Sequence, residues 1–182
     1  ELLVLAEKSH VTGINALEIA QQGIEYLENV SGSSENLKIA VVRASYNAAL
    51  ANNYDQAWFK KCSDLAHLYL VSSENSYTRA EGYHFAAISL SNQPENLSSK
   101  NEYFEKALNL AKESSVNLYA MVTNSFAEFL SNGTDADQQK AKELYLKSLE
   151  IKESSEIKDL EGMARTFGGL GRLSFFAKDS DI

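Results

Sequence analysis

The side chains best suited to chemistry are three histidines, His10, His67 and His84, and one cysteine, Cys62. Asp64 and His67 stand one helical turn apart. At that spacing a carboxylate can orient an imidazole for proton transfer, or the two can share a metal ion. No third ligand stands at a matching interval, so a half-exposed surface pair is the simpler reading. Cys62 occupies a small-residue position of a predicted helix and reads as a buried small side chain, not a nucleophile. Gly169-x-Gly171 falls inside a helical pattern with no strand before it, so it reads as a packing feature and not a phosphate cradle. No Gly-x-Ser-x-Gly, phosphate-loop or His-Glu-x-x-His motif occurs. Three Asn-x-Ser/Thr sequons, at Asn29, Asn96 and Asn132, are expected by chance in so Asn- and Ser-rich a chain. The residues therefore point to no catalytic site, no metal and no cofactor, and to a chain that is not itself an enzyme.

Composition narrows the remaining classes. The 182 residues carry a formal net charge of −8, with 17 Lys and Arg against 25 Asp and Glu. Nucleic-acid affinity comes mainly from cations that neutralise phosphates, so neither nucleic acid nor an anionic membrane surface is an expected partner. One cysteine excludes an internal disulfide framework. No run of 18 apolar residues suggests a membrane span, and no signal-peptide pattern opens the chain, so a cytoplasmic location is expected. The start at Glu1 and the mid-pattern run Leu2–Ala6 suggest a fragment of a longer protein.

The elements that would position any site are helices. Apolar residues, 44% of the chain, recur at three- and four-residue steps, and proline occurs once, at Pro94. The spacing predicts helices over Thr12–Val30, Glu35–Ala51, Tyr54–Val71, Tyr77–Leu90, Lys100–Glu113, Val116–Leu130, Asp135–Glu153 and Ile157–Ala177, with the end of another over Leu2–Ser9. Ser99 and Glu102 form a predicted capping box, and Glu102–Lys106 and Glu143–Lys147 form predicted surface ion pairs. An aromatic or small residue followed three places on by a small one recurs as Ala20/Gly23, Phe59/Cys62, Phe104/Ala107 and Tyr145/Ser148. Alternate helices carry a central small residue at Ala48, Ala86, Ala127 and Gly171. Self-similarity at intervals near 40 residues is the mark of a repeat array. The glycines around Gly171 are expected to admit a neighbouring helix, because glycine inside a helix otherwise costs about 0.5–1 kcal/mol against alanine.

Ala141-x-x-x-Tyr145-x-x-Ser148-Leu149, then Asp159-x-x-Gly162-x-Ala164-Arg165-Thr166 and Leu170-Gly171-Arg172-Leu173, resemble the tetratricopeptide repeat family. The resemblance is clearest over residues 100–177. The interval near 40 exceeds that family's usual length of about 34 residues, and the proline that closes each unit is missing. The resemblance implies one all-α repeat domain over 1–182, a right-handed superhelix (α-solenoid) of antiparallel helix pairs. Its units would span approximately 1–30, 35–71, 77–113 and 116–153, with a half unit at 157–182.

In that family the first helix of each pair lines a concave groove. Carried over to this chain, the groove residues are Ser45, Asn52, Tyr83, Asn124, Glu128 and Arg172, with Ala49, Ala87, Leu90, Ser131, Gly168 and Phe175 beside them. The lysine and asparagine clamp of the chaperone-binding members is missing. The lining suits an extended peptide or a helix of mixed polarity. Leu173, Phe175 and Phe176 make the last helix apolar on several sides and suggest an oligomer or continuation surface. The expected function is a protein–protein interaction scaffold or peptide-sensing module whose partner is a protein or peptide. A regulatory segment of a larger signalling enzyme, such as an NTPase or kinase, is the alternative. A structural array that self-associates end to end is the third reading.

Overall fold

The computed structural model describes residues 16–91, 97–155 and 159–179. Every regular element among them is helical: α1 (Ala16–Asn29), α2 (Glu35–Ala51), α3 (Gln56–Ala66), α4 (Ser76–Ser91), α5 (Leu97–Ser114), α6 (Val116–Leu130), α7 (Asp135–Ser154) and α8 (Leu160–Asp179). Helix α3 runs on into a π-helical turn over His67–Val71. The expected helix at Leu2–Ser9, His10 and the start of the helix at Thr12 lie outside the described residues. No described helix is long and apolar enough to cross a membrane. The chain divides into two compact units, Glu1–Leu110 and Ala111–Ile182.

Local chemistry sets the helix starts. Ser34 accepts from the Leu37 amide, Asp55 from the Ala57 and Trp58 amides, and Ser115 from the Leu118 amide. Asn53 and Tyr54 both adopt positive φ, 55° and 59°, which delays α3 until Asp55 can cap it. The reciprocal capping box lies at Thr134 and Asp137, not at Ser99 and Glu102. Helix α5 already begins at Leu97, which leaves Ser99 inside it.

Within the first unit, Gly23 of α1 faces the Val41 side chain of α2. Ala16, Ile19 and Ala20 share an apolar cluster with Ala40, Ala44 and Ala48. Cys62 of α3 donates to the Val42 carbonyl of α2 at 3.4 Å, while Tyr46 meets Phe59 at 5.5 Å between ring centres. Later positions of one helix thus meet earlier positions of the next, and consecutive helices run antiparallel. In the second unit Ser148 of α7 donates to the Ala120 carbonyl of α6, and the Lys140 ammonium stands 4.9 Å from the Phe126 ring centre. Tyr145 of α7 lies on Gly169 of α8 and Lys152 on Gly162, the same reversed order.

Next-but-one helices run parallel. Glu35 and Arg43 of α2 meet Thr78 and Glu81 of α4, displaced by 43 and 38 residues. Asn124 of α6 meets Thr166 of α8, displaced by 42. These displacements match the interval near 40 in the sequence, so in each unit the repeat of residue types is also the packing register.

Close approach is bought by small residues, though not at Gly171. A Cβ at Gly169 would come 2.3 Å from Tyr145 Cζ, whereas one at Gly168 or Gly171 would meet nothing within 4 Å. Gly82 in α4 plays the same part in the first unit. A Cβ there would lie 2.8 Å from Leu70 Cβ and 3.0 Å from the Val71 amide, so α4 packs on the backbone of the π-helical turn. The large side chains between the helices, among them Phe59, Leu70, Val41 and Val42 in the first unit and Phe126, Val122 and Tyr145 in the second, are fully buried. Each such side chain contributes roughly 1.5–3 kcal/mol. The Glu102–Lys106 surface pair forms at 2.6 Å. Lys147 turns instead to Glu150, and Glu143 accepts from Gln139.

Candidate functional site

Three groove residues expected from the sequence lie in the first unit. Ser45 is a correction. It is fully buried and donates to the Val41 carbonyl one turn back, so it offers nothing to a ligand. Ala49 and Ala87 are buried with it. Around Ser45 the side chains of α2 that reach the surface are Arg43, Tyr46, Asn47 and Leu50. Arg43, Asn47 and Leu50, spaced by four and three residues, form a legible stripe, but the family register pointed to the neighbouring one. Asn52 is exposed and its amide is held by Asp55 at 2.8 Å, as part of the turn into α3.

Arg43 leads to the most tightly built polar cluster of this unit. Its Nη2 donates at 3.1 Å to Glu81 Oε1, which also accepts from the Tyr77 hydroxyl at 3.2 Å. Glu81 is 1% exposed, and its Oε2 is buried without a hydrogen-bond partner. Burial pushes the Glu81 carboxyl above the ordinary carboxylate value, against the pull of Arg43 and Tyr77. Two neighbours share the surroundings. Burial, reinforced by Arg43, lowers His84 to about 4. Glu35 is also lowered, by hydrogen bonds from Ser73 and Thr78, in contrast to Glu81.

Tyr83 belongs to a second group. The His67 Nδ1 lies 2.8 Å from the Ser63 carbonyl and its Nε2 lies 3.0 Å from the Tyr103 hydroxyl. A carbonyl only accepts, so Nδ1 carries the proton and Nε2 accepts from Tyr103. The Tyr103 ring lies 5.8 Å from that of Tyr83, and the Lys106 ammonium stands 5.4 Å from the Tyr83 ring centre. Asp64 plays no part, since it pairs with Lys60 at 2.8 Å. Beside Tyr83 opens a cleft of about 400 Å³, lined by Val71, Arg79, Tyr83, Lys106, Asn109 and Leu110. A further surface depression, lined by Ala57, Lys60, Lys61, Asp64, Leu65 and Leu68, runs along α3 alone.

The other three expected groove residues lie in the second unit, on α6 and α8. Asn124 Oδ1 accepts from the Thr166 hydroxyl at 2.8 Å, and that hydroxyl in turn accepts from the Lys152 ammonium at 3.0 Å. Lys152 also donates to the Gly162 carbonyl and is buried, which lowers its pKa from the ordinary lysine value. Nothing in the sequence patterning singled out Lys152, and Thr166 figured only in the repeat resemblance. Glu128 and Arg172 are exposed and face each other at 3.7 Å. Leu173 is buried within the unit and is not free for a partner, whereas Phe175 is 65% exposed. The Phe176 side chain lies outside the described residues.

Cys62 is fully buried and its thiol is pushed up to about 12, which removes it as a nucleophile. Among the described residues no three His, Cys, Asp or Glu side chains cluster as a metal would require. No family model matches the chain, no curated protein matches it, and no solved structure matches it.

Proposed function

We propose that the chain is a protein–protein interaction scaffold without chemistry of its own, built as a stretch of right-handed superhelical array of tetratricopeptide-like helix pairs. The supporting observation is the register. In each unit consecutive helices are antiparallel, next-but-one helices are parallel, and the displacement equals the sequence interval. Such an array stacks repeat on repeat and presents an extended face built from alternate helices. Those faces carry Arg43 and Asn47 in the first unit and Glu128 and Arg172 in the second, a polar lining suited to a peptide of mixed polarity. The test uses surface substitutions that leave the core intact, Arg172→Ala with Glu128→Ala. Partners recovered with the wild-type protein are compared with those recovered by the variant, and their affinities are measured. Loss of at least one partner by about tenfold or more in affinity supports the reading. Identical partners at identical affinity remove the α6–α8 face from it.

Self-association is a second reading, favoured by the exposed apolar side chains of α8. Leu160, Phe167 and Phe175 are 73%, 53% and 65% exposed. Isolated exposed apolar residues are ordinary, but several on one helix are a common sign of an interface. Light scattering across a concentration series decides, since a monomer throughout excludes this reading.

A further inference from the structure

The cleft beside Tyr83 brings together two cations in a chain whose net charge is −8. Arg79 and Tyr83 stand one turn apart on α4. Lys106, Asn109 and Leu110 stand one turn apart on α5, and Val71 closes the cleft from the end of the π-helical turn. π-Helical turns are costly to keep and are frequent at functional sites. The Arg79 guanidinium is poorly satisfied. Its Nε is shielded from solvent and meets no acceptor, and its Nη2 makes only a 3.5 Å contact with Ser76. A ligand in the cleft meets this guanidinium through its Nη groups, since Nε is shielded. Lys106 is occupied by Glu102 at 2.6 Å, but an ammonium has three donors and keeps capacity for a second anion. Asn109 adds an amide at the same wall.

We propose that this cleft binds a small organic phosphate, with the oxyanion on Arg79 and Lys106 and the organic body against Val71, Tyr83 and Leu110. Guanidinium nitrogens pair with phosphate oxygens in a two-point fork, and the Lys106 ammonium, shared with Glu102, supplies a further donor. The cleft, about 400 Å³ and open to solvent, leaves room beside the oxyanion for an organic body. The Tyr83 ring already has Tyr103 beside it and Lys106 above it, so the ligand body meets its edge. The proposal stands apart from the interaction scaffold, which rests on α2, α6 and α8.

The test is titration of the whole chain with phenyl phosphate, inorganic phosphate and succinate, followed by amide chemical shifts at constant ionic strength. Saturable binding of phenyl phosphate is expected, tighter than inorganic phosphate and succinate, with shifts confined to residues near 71, 79–83 and 106–110. Arg79→Gln and Lys106→Gln are each expected to weaken it about tenfold or more. Lys106 is exposed and its replacement leaves the core untouched, so that variant keeps the test valid if Arg79→Gln unfolds. No saturation up to about 20 mM, equal affinity for all three anions, or binding unchanged in the Lys106→Gln variant each overturns the proposal.

Discussion

Three glycines within four residues of α8 look alike in the sequence and differ in space, which makes them the sharpest test of the packing. Gly171→Ala adds a methyl where nothing stands within 4 Å, at an exposed helical position. The gain is the ordinary preference of a helix for alanine, about 0.5–1 kcal/mol. Gly168→Ala meets equally open space and should behave the same way. Gly169→Ala drives its Cβ to 2.3 Å from Tyr145 Cζ and 2.6 Å from Tyr145 Cε1. Contacts that short cannot persist, and the Tyr145 ring, 1% exposed, has no free volume to enter. Overpacking of this kind costs about 1–3 kcal/mol, which outweighs the helix-propensity gain and leaves a net loss of about 1–2 kcal/mol. Thermal unfolding at neutral pH should therefore place Gly168→Ala and Gly171→Ala above the wild type by roughly 1–4 °C and Gly169→Ala below it by at least as much. Tyr145→Leu combined with Gly169→Ala should recover part of that loss, because the clash belongs to the ring. Three alanine variants of equal stability, or a Gly171→Ala variant less stable than Gly169→Ala, would refute the placement of α8 on α7.

Burial and Arg43 lower His84 to about 4, so the unfolded chain takes up a proton before the folded one as pH falls below the ordinary histidine value of about 6.5. Denaturant titrations of wild type and His84→Phe, compared between pH 7.5 and 4.5, should show the wild type losing up to about 3 kcal/mol relative to the variant as the pH falls; a difference that does not change with pH contradicts the buried neutral imidazole. Arg43→Ala strands the buried Glu81 carboxylate and should cost about 3 kcal/mol by urea unfolding at pH 7, while Arg43→Met with Glu81→Leu should cost markedly less, since removing both charges removes the stranded one. The Arg43→Ala penalty should shrink as pH falls, because the raised Glu81 pKa makes protonation of the folded state stabilising there. Lys152→Met should be close to neutral at pH 7, and Lys152→Ala should cost about 2 kcal/mol through the lost packing. Because the folded Lys152 pKa is lowered, the wild type should gain on the Met variant as pH rises toward the ordinary lysine value of about 10.4, measured again by unfolding.

The helical boundaries that rest on apolar period and local caps were readable to the residue, as for α2 and α6. Where tertiary contact overrides local preference they were not. Tyr54 looks like a helix start by composition, yet its positive φ belongs to the turn before Asp55. Ser99 and Glu102 satisfy the capping-box pattern, but α5 starts two residues earlier, so the same residue types sit in the helix interior. The groove was harder still. A period near 3.6 tells which residues share a face and not which face is covered, and a shift of one or two residues moved Ser45 from a supposed lining into the core. The same limit hid which glycine admits the neighbouring helix. Gly171 fits the small-residue interval, but the ring of Tyr145 lies on Gly169, and only the partner helix reveals that. Lys152, Arg43 and Glu81 escaped notice because each looks like a surface residue until its partner, about 40 residues or one helix away, is in place.

Those late-appearing polar residues explain something that the apolar seams do not. Ala16, Ala20, Ala40, Ala44 and Ala48 let two helices approach, but a seam of alanines presents nearly the same surface after a slip of one turn. A buried hydrogen-bonded charge does not. Slipping α4 along α2 by one turn would leave Glu81 buried without Arg43, and slipping α8 along α6 would part Thr166 from Asn124 and Lys152. Each misalignment would strand a desolvated polar group at a cost of about 1–3 kcal/mol, more where it is charged. The aligned pair need contribute little net stability for this to matter, since such groups discriminate between packings more than they strengthen any one of them. The parallel register between next-but-one helices is thus fixed by few residues, and those residues recur at the interval of the repeat itself: Arg43 with Glu81 in one unit, Asn124 with Thr166 in the other. The aromatic and small positions that reveal the repeat in the sequence supply its cohesion, and the inconspicuous polar ones supply its alignment.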